Sequence, residues 1–421
     1  MSEYLPRVID PYLSEMLEYS GAVLIEGIRW CGKTRTAEEK AASKISLQDP
    51  NRSGSFLKTA EIKPALLLEG ETPRLIDEWQ MAPVIWNSVR YTVDERQGKP
   101  GQFILTGSAT PPKDNLRHSG AGRIDRVKMR PMSLFESQES NGRVSLRDLF
   151  EQKHDIGASS ELTIEKLSSA VVRGGWPGLM KTDEKYVMRE MQSYVDSIIQ
   201  IDISKADDVE RAPAIARELM RSLSRNISSP ANMSTIRTDM AGDNDAVSEK
   251  TVSSYINALR RIFVVEDVPA WNPSTRSKVA VRTSPKRCFA DPSIPASVLR
   301  LSPKGLLEDL RTFGHLFESL CVRDLRVYSQ VLDGEVFHYR DRYGLEADAV
   351  VHLNDGRWGA IEVKLGQKEI EDAAEKLKKL RDRVDTDRMK QPSFLMVLTA
   401  TEYAYRREDG VLIVPIGCLR Q

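Results

Sequence analysis

The sequence predicts a multi-domain α/β protein. Its 421 residues are too many for one ordinary domain, and at about 100–200 residues per domain we expect two to four domains. Near the start, an apolar strand-like segment passes through a glycine-containing loop into a helix-forming segment, and two further apolar segments end in polar residues. Residues 303–421 again read as an α/β unit.

Composition excludes several classes of protein. The chain is 40% hydrophobic and 29% charged, as in folded proteins rather than disordered ones. Lys+Arg and Asp+Glu are both 61, so any basic surface for nucleic acid has to be local. No apolar stretch approaches the roughly 20 residues of a membrane span, and the first residues lack a signal-peptide core, so we expect a cytoplasmic protein with no membrane partner. Four widely separated cysteines exclude a disulfide framework or a zinc ribbon: Cys31, Cys288, Cys321 and Cys418.

A phosphate-binding loop follows the first predicted strand. Residues 21–26 (GAVLIE) read as a buried strand, and the next eight (GIRWCGKT) form a complete P-loop ahead of a helix-compatible run. The backbone N–H groups of such a loop point at phosphate oxygens, Lys33 supplies a positive charge, and the Thr34 hydroxyl can ligate Mg²⁺. The residues predicted to surround the phosphates are Gly27, Ile28, Arg29, Trp30, Cys31, Gly32, Lys33, Thr34 and Arg35.

Two more strands are predicted to bring polar residues to the same place. The strand at 73–76 ends in Asp77-Glu78, about 45 residues beyond the loop, where Asp77 would hold Mg²⁺ and Glu78 would polarise the attacking water. The strand at 102–106 leads to Ser108, which would lie between the loop and the acidic pair and sense the γ-phosphate; the alternative is a simple strand-to-loop turn. Together these segments predict a sheet that hydrolyses nucleoside triphosphates and has an inserted strand.

A resemblance to the AAA+-type ATPases that have a C-terminal DUF4143 region is carried by five segments: GIRWCGKT, LIDEWQMAPVIWNSVRYTVDE, FILTGSA, GRIDRVKMRPMSLFE and RGGWPGL. It runs nearly the length of the chain. It implies a P-loop ATPase core of the ASCE/AAA+ class that uses ATP and Mg²⁺. It also implies a homo-oligomer, for which a hexameric ring is one form.

The resemblance also implies a role for an arginine. Its members have a Gly-Arg pair in a loop that faces a neighbouring subunit, and Gly122-Arg123 matches this pair. Arg123 is therefore the candidate arginine finger, with Arg117 as the second choice; the alternative is that both are ordinary surface arginines of a basic loop. Arg173 is a weaker candidate for a second sensor.

The sequence divides into four predicted domains. Residues 1–160 form the ATPase core and 161–210 a helical lid. Three predicted helices and a basic strand-like segment indicate a winged helix at 211–298. Residues 299–421 form a restriction-endonuclease-like domain.

The proposed wing is the local basic feature of an otherwise neutral chain. Residues 272–289 contain no acidic residue, and phosphate contacts would suit their cations. The alternative is a solvated hairpin in a module that contacts proteins. The basic residues are Arg276, Lys278, Arg282, Lys286 and Arg287.

The C-terminal region contains the residues of a PD-(D/E)xK nuclease. Glu318 lies on a predicted helix, Asp348 at the start of a strand, and Glu362 and Lys364 on the next strand. Because side chains alternate along a strand, Glu362 and Lys364 share a face beside Asp348. Asp348 and Glu362 could bind Mg²⁺, and Lys364 would activate water. The spacing resembles that of archaeal Holliday-junction resolvases, yet the same residues are compatible with a DNA-binding or assembly module whose site is idle.

Three functional hypotheses follow. The first is an ATPase that couples Mg·ATP hydrolysis to work on duplex or branched DNA. The second is a nucleotide-controlled switch that binds protein partners and has an inactive nuclease-like domain. The third is a nuclease with a regulatory ATPase.

Overall fold

The computed structural model describes residues 4–109, 119–207, 209–241, 247–273, 284–384 and 389–421. The chain forms two compact units. The first contains residues 1–131, 201–211 and 257–264, and the second contains 132–200, 212–256 and 265–421. The predicted division into four domains stays a prediction.

The first unit is built on a parallel five-stranded sheet, which confirms the predicted α/β class. The strand order is β2-β3-β4-β1-β5, so β4 is inserted between β1 and β3 as predicted, and every pairing is parallel. The elements are α1 (Ile9–Tyr19), β1 (Ala22–Glu26), α2 (Lys33–Glu38), β2 (Ser43–Ser46), α3 (Ser53–Ile62), β3 (Arg74–Asp77), α4 (Val84–Glu95), β4 (Phe103–Gly107) and β5 (Ile124–Lys128).

Apolar side chains of the strands and α4 form the core of this unit. Strands β3 and β4 are buried along their whole length, as expected for parallel strands covered by helices. Trp79 and Trp86 are fully buried, with ring centroids 5.1 Å apart. Because parallel strands end at the same edge, the residues that follow β1, β3 and β4 meet there.

The second unit is larger and contains a seven-stranded mixed sheet of order β7-β12-β13-β11-β10-β9-β8. Strands β8, β9 and β10 are antiparallel neighbours, whereas β10, β11 and β13 run parallel. Strands β6 and β14 of this unit pair with each other in a separate two-stranded sheet. The strands of the unit are β6 (Val144–Ser145), β7 (Ala158–Ser159), β8 (Gly334–Arg340), β9 (Glu346–Leu353), β10 (Trp358–Lys364), β11 (Phe394–Thr399), β12 (Tyr403–Arg406), β13 (Leu412–Pro415) and β14 (Leu419–Arg420).

Two helices, α14 (Leu310–Gln330) and α15 (Ile370–Arg383), pack on this sheet. The apolar side of α15 contributes Leu377 and Leu380 to a core that includes Trp358, while its outer side is charged. The other helices that follow α4 are α5 (Leu146–Phe150), α6 (Ile164–Arg173), α7 (Glu184–Ser197), α8 (Ile203–Lys205), α9 (Pro213–Arg225), α10 (Met233–Ala241), α11 (Glu249–Arg261), α12 (Ser293–Val298) and α13 (Pro303–Glu308). Helix α8 lies in the first unit, and α11 is divided between the two units.

The three helices predicted for a winged helix are present as α9, α10 and α11. They do not form a compact unit of their own, because α11 is divided between the two units at Asn257. The segments on either side of the proposed wing pair through two antiparallel bridges, Val265 with Phe289 and Val268 with Lys286. The winged helix and the helical lid therefore stay predictions.

The basic surface predicted for the wing needs a correction. Lys286 and Arg287 are only 5% and 7% exposed, and Arg287 donates to Asp267 Oδ2 at 2.7 Å. A buried, ion-paired cation is not accessible to a DNA phosphate. The other three basic residues of the wing, Arg276, Lys278 and Arg282, lie outside the described residues.

The RGGWPGL segment has a structural explanation within the second unit. Buried Arg323 pairs with Asp291 at 2.9 Å and with Asp324 at 2.7 Å. Asp291 in turn accepts the backbone N–H of Gly175 at 3.0 Å. Gly174 has φ 73°, and a Cβ at Gly175 would lie 2.1 Å from the carbonyl oxygen of Met132. The two glycines thus let the chain pass close to buried charged and carbonyl groups.

Among the described residues, no helix is long and apolar enough to cross a membrane.

We expect Gly175→Ala to destabilise the second unit. The added methyl group would overlap the Met132 carbonyl, and overpacking of this kind costs about 1–3 kcal/mol. Differential scanning calorimetry should show a lower melting temperature for that unit. The matched control is Gly366→Ala, because a Cβ there meets nothing within 4 Å. Equal melting temperatures for the two variants would contradict this account of the segment.

Candidate nucleotide site and C-terminal charge cluster

The loop between β1 and α2 curls at residues that need unusual backbone angles. Gly27 has φ 158° and Gly32 has φ 103°, and Trp30 is a non-glycine residue at φ 74°. A Cβ at Gly27 would lie 2.0 Å from the carbonyl oxygen of Met129, so a side chain at this position does not fit. Helix α2 then begins at Lys33 and directs its N-terminus at the loop.

Lys33 is buried inside this loop. Its Nζ donates to the carbonyl oxygens of Gly27 and Ile28, each at 2.9 Å, and the residue is 5% exposed. The hydrogen bonds to carbonyls satisfy an ammonium group that would otherwise be costly to bury. They also fix its charge at the concave side of the loop.

Asp77 connects the loop to three strands. Its Oδ1 accepts hydrogen bonds from Thr34 Oγ1 at 2.6 Å and Thr106 Oγ1 at 2.7 Å, and its Oδ2 accepts one from Ser46 Oγ at 3.0 Å. Thr34 belongs to α2, and the two other hydroxyls belong to strands on either side of β3. The juxtaposed hydroxyl and carboxylate oxygens fit Mg²⁺, which prefers hard oxygen ligands and retains phosphate and water oxygens for the rest of its shell.

Glu78 follows in a left-handed conformation with φ 58° and ψ 46°, which turns its side chain out of the strand direction. Its Oε2 accepts a hydrogen bond from Ser108 Oγ at 2.9 Å and another from Gln80 Nε2. The backbone N–H of Glu78 also donates to Thr106 Oγ1 at 3.3 Å. The structure therefore brings Ser108 to the acidic pair, as the sequence predicted, and it shows that its partner is Glu78.

Three contributors to this site were not predicted. Ser46 and Thr106 hold Asp77, and Gln80 holds Glu78. Thr106 could have been found, because it lies two residues before Ser108 on a predicted strand and therefore points to the same side. Ser46 lies on a short strand that the sequence pattern did not indicate, and nothing marks Gln80.

The other loop residues are engaged in contacts within the first unit. Arg29 pairs with Asp202 at 3.2 Å, and Arg35 pairs with Glu39 at 2.6 Å. Cys31 is buried, and its Sγ lies 3.5 Å from the Met129 carbonyl oxygen. Their predicted contact with phosphate stays a prediction.

Arg123 lies at the N-terminal ends of the strands, whereas the loop lies at their C-terminal ends. It directly precedes β5, whose first residue pairs with Ala22 at the start of β1, whereas the loop follows the last residue of β1. The five-residue strand separates the two positions by about 16 Å at roughly 3.3 Å per residue. Arg123 donates to Asp94 at 2.8 Å and is 45% exposed at its side chain. Arg117 lies outside the described residues.

Arg173, the candidate second sensor, is engaged within the second unit. Its guanidinium pairs with Glu139 at 2.6 Å. Nothing in this contact supports a sensor role, which stays a prediction.

The predicted C-terminal residues come together in the second unit. Lys364 Nζ lies 3.0 Å from Glu362 Oε2 and 3.6 Å from Asp348 Oδ2. Asp348 Oδ2 also accepts the backbone N–H of Val363 at 2.9 Å. The predicted sharing of one face by Glu362 and Lys364 is confirmed.

Lys286 is a member of the same cluster that was not expected there. Its Nζ lies 2.7 Å from Glu318 Oε1 and 3.2 Å from Asp348 Oδ1. The sequence placed this lysine in the wing, and no periodicity connects it to a residue 62 positions further on. We call the five side chains the carboxylate cluster: Lys286, Glu318, Asp348, Glu362 and Lys364.

Burial and charge act against each other in the cluster. Burial raises the pKa of Glu318 to about 8 and that of Glu362 to about 7, with the Asp348 charge adding to both shifts. Burial alone would also raise the pKa of Asp348, but the charges of Lys286 and Lys364 lower it below its usual value. Burial opposes the charge on both lysines, yet their carboxylate neighbours raise the pKa of each.

The predicted Mg²⁺ site at Asp348 and Glu362 does not fit this arrangement. Both carboxylates already have an ammonium partner, and Lys286 lies between Asp348 and Glu318. Within the part of the chain that the structure describes, no group of three or more His, Cys, Asp or Glu residues could hold a metal ion. Two ammonium groups thus face three carboxylates in the cluster.

A P-loop at the end of β1, an inserted strand β4 and an acidic pair at the end of β3 define the first unit as a P-loop ATPase domain. Family comparisons agree with this class: residues 19–138 match the AAA domain family. Residues 313–419 match DUF4143, a domain of unknown function, and residues 164–305 match DUF8612, also of unknown function. The chain therefore contains an AAA-type P-loop ATPase domain followed by a DUF4143 region.

Solved structures resemble the chain only distantly. The Walker-type ATPase PABY2304 of Pyrococcus abyssi has 15% identity, with a TM-score of 0.44 over 69% of this chain and 94% of its own. A DNA replication initiation factor has 15% identity and a TM-score of 0.23, over 60% of this chain and 86% of its own. The Hef helicase domain of Pyrococcus furiosus has 12% identity and a TM-score of 0.20, over 98% of this chain and 94% of its own. No curated protein matches the chain.

Proposed function

We propose that the protein hydrolyses ATP with Mg²⁺ at the loop between β1 and α2. The observation that carries this proposal is the hydrogen bond of 2.6 Å between Thr34 Oγ1 and Asp77 Oδ1, next to Glu78. This contact supports the proposal, because the hydroxyl and the carboxylate could together hold a nucleotide-bound metal and the adjacent Glu78 carboxylate could orient water.

The phosphates would bind against the backbone N–H groups of the loop and the N-terminus of α2. Lys33 would exchange its carbonyl partners, Gly27 and Ile28, for β- and γ-phosphate oxygens. Thr34 and Asp77 would hold Mg²⁺, which supplies positive charge to the phosphate oxygens. Phosphoryl transfer depends chiefly on such positioning and charge stabilisation.

Glu78 would orient the attacking water and accept its proton. Ser108 and Gln80 hold its carboxylate through hydrogen bonds to one oxygen, Oε2. These hydrogen bonds fix the direction of the carboxylate that would accept the proton. Ser108 also lies at the end of the strand between the loop and β3, so a γ-phosphate that attracts its hydroxyl would change the hold on Glu78.

We expect Glu78→Gln to bind ATP but to hydrolyse it at least about 10²-fold more slowly, because loss of a general base typically costs 10²–10⁴-fold in rate. Lys33→Ala should lose both binding and hydrolysis. Steady-state phosphate release measures turnover. Binding can be followed by iodide quenching of Trp30, which is 38% exposed, whereas the other five tryptophans are at most 3% exposed.

Glu71→Gln and Lys58→Ala are matched controls, because both side chains are exposed in the same unit. Both controls should keep normal turnover. Unchanged turnover in Glu78→Gln would show that the base lies elsewhere, and normal turnover in Lys33→Ala would exclude the loop as the ATP site.

The placement of Arg123 supports a role in another copy of the chain. At about 16 Å along the sheet from the loop of its own chain, Arg123 lies on the wrong edge to serve that loop. Its side chain is 45% exposed and therefore accessible to a neighbour. We propose a homo-oligomer, with a hexameric ring as one form, in which Arg123 stabilises transition-state charge at the adjacent site.

Arg123→Ala is expected to reduce hydrolysis by about 10³-fold, the lower bound for arginine fingers. Mixing it with Lys33→Ala should restore part of the activity, because the second variant contributes an intact Arg123 to the intact loop of the first. Arg52→Ala, an exposed arginine of the same unit, serves as the control. A mixture that is no more active than its components would contradict action between subunits.

We propose that this ATPase acts on DNA, duplex or branched, as the sequence pattern of the C-terminal region suggests. A second candidate is a nucleotide-controlled switch that binds protein partners. The observation that favours the second candidate is the burial of Lys286 and Arg287, which removes two of the five cations expected to contact phosphate. The two candidates differ in whether DNA alters the ATPase.

Under the DNA proposal, ATP hydrolysis should rise several-fold with one form of DNA among single-stranded, duplex and four-way-junction molecules. The same reactions should be run on a gel to detect cleavage. Stimulation has to be absent in Glu78→Gln, which excludes a contaminating ATPase. Turnover that no DNA form changes would instead support the protein-binding switch.

A further inference from the structure

We propose that the ammonium group of Lys286 is a built-in cation of the carboxylate cluster, so that the C-terminal region neither needs nor takes up a divalent metal there. This inference concerns the second unit and does not depend on the proposed ATPase function. It assigns to Lys286 the role that a metal ion has in nucleases with the same carboxylates.

Geometry is the first argument. Lys286 Nζ bridges Glu318 on α14 and Asp348 on β9, at 2.7 and 3.2 Å. A metal that joined these two carboxylates would need the same space. The lysine side chain is 7% exposed, so water does not compete for its contacts.

The backbone of Lys286 is fixed as firmly as its side chain. Its N–H donates to the carbonyl of Val268 at 3.0 Å, and its carbonyl accepts from the N–H of Val268 at 2.9 Å. Val268 is itself buried with Cys288 and Val322 of α14. The backbone at Lys286 is thus tied to a buried segment, which fixes the point from which its side chain extends to the two carboxylates.

Charge is the second argument. Two ammonium groups face three carboxylates in the cluster, and Lys364 already pairs with both Asp348 and Glu362. A divalent ion would meet two nearby positive charges in a site with little water, where repulsion is weakly screened. If Lys286 were neutral, three carboxylates would face a single ammonium, and a divalent ion could restore the balance.

The experiment is a Mn²⁺ titration of the full chain without nucleotide, followed by the electron paramagnetic resonance signal of free Mn²⁺. Lys286→Met keeps the length of the side chain and removes its charge. We expect Lys286→Met to bind one more Mn²⁺ per chain than the unaltered protein, and to gain melting temperature when Mn²⁺ is added. The additional ion should be lost in the double variant K286M/D348N. Lys379→Met, an exposed lysine of α15, should behave as the unaltered protein.

A folded Lys286→Met that binds no additional ion would overturn the proposal. Circular dichroism and the melting curve establish whether this variant folds. A second variant keeps the test decisive if it does not: Glu362→Gln resembles the protonated form of a carboxyl whose pKa burial raises to about 7. With Lys286 in place, Glu362→Gln should leave the Mn²⁺ count unchanged, and a lower count would show that the cluster already binds metal.

Discussion

The hydrogen bonds accepted by the Asp77 carboxylate are the interactions on which the geometry of the nucleotide site in the first unit depends. This carboxylate accepts hydroxyl hydrogen bonds from Thr34, Thr106 and Ser46, which lie on α2, β4 and β2. A single acceptor thus ties the phosphate loop to the two strands that flank β3. A carboxylate only accepts hydrogen bonds, and three hydroxyl donors approach this one. The same hydroxyl and carboxylate oxygens fit Mg²⁺, which prefers hard oxygen ligands.

In the second unit, buried charged groups are held by oppositely charged side chains, whereas Asp77 is held by neutral hydroxyl donors. Arg323 is held by Asp291 and Asp324, and these two acids also accept backbone N–H groups of Gly175 and Leu134. The carboxylate cluster follows the same rule, with two lysines for three acids. Buried ions persist only where partners and hydrogen bonds offset their desolvation. In this cluster the buried carboxylates of Glu318 and Asp348 are therefore held by the ammonium group of Lys286.

Prediction succeeded where a function imposes a local pattern. The loop residues 27–34 are contiguous, and their glycines and lysine are required by backbone geometry and phosphate charge, so the motif is visible in eight letters. Asp77-Glu78 and Ser108 were found because each follows an apolar strand, and parallel strands end at one edge. Ser46 was missed because it lies on a short strand that the sequence pattern did not indicate, and Gln80 because nothing in the sequence marks it. Thr106 could have been found, because it lies two residues before Ser108 on a predicted strand.

The chain by itself determined the presence of the phosphate loop, the acidic pair after β3, the inserted strand and the alternation that aligns Glu362 with Lys364, because these depend on contiguous residues and on strand periodicity. Only the tertiary structure decided that Lys286, a residue of the basic segment, contacts Glu318 and Asp348. It also decided that Arg123 lies at the end of the strands opposite to its own loop. Such facts depend on pairings between residues far apart in the chain. The free energy of burying a charge selects the partners of Lys286, whereas the pairing of β5 with β1 sets the position of Arg123. Both are properties of the packed structure and not of any single segment.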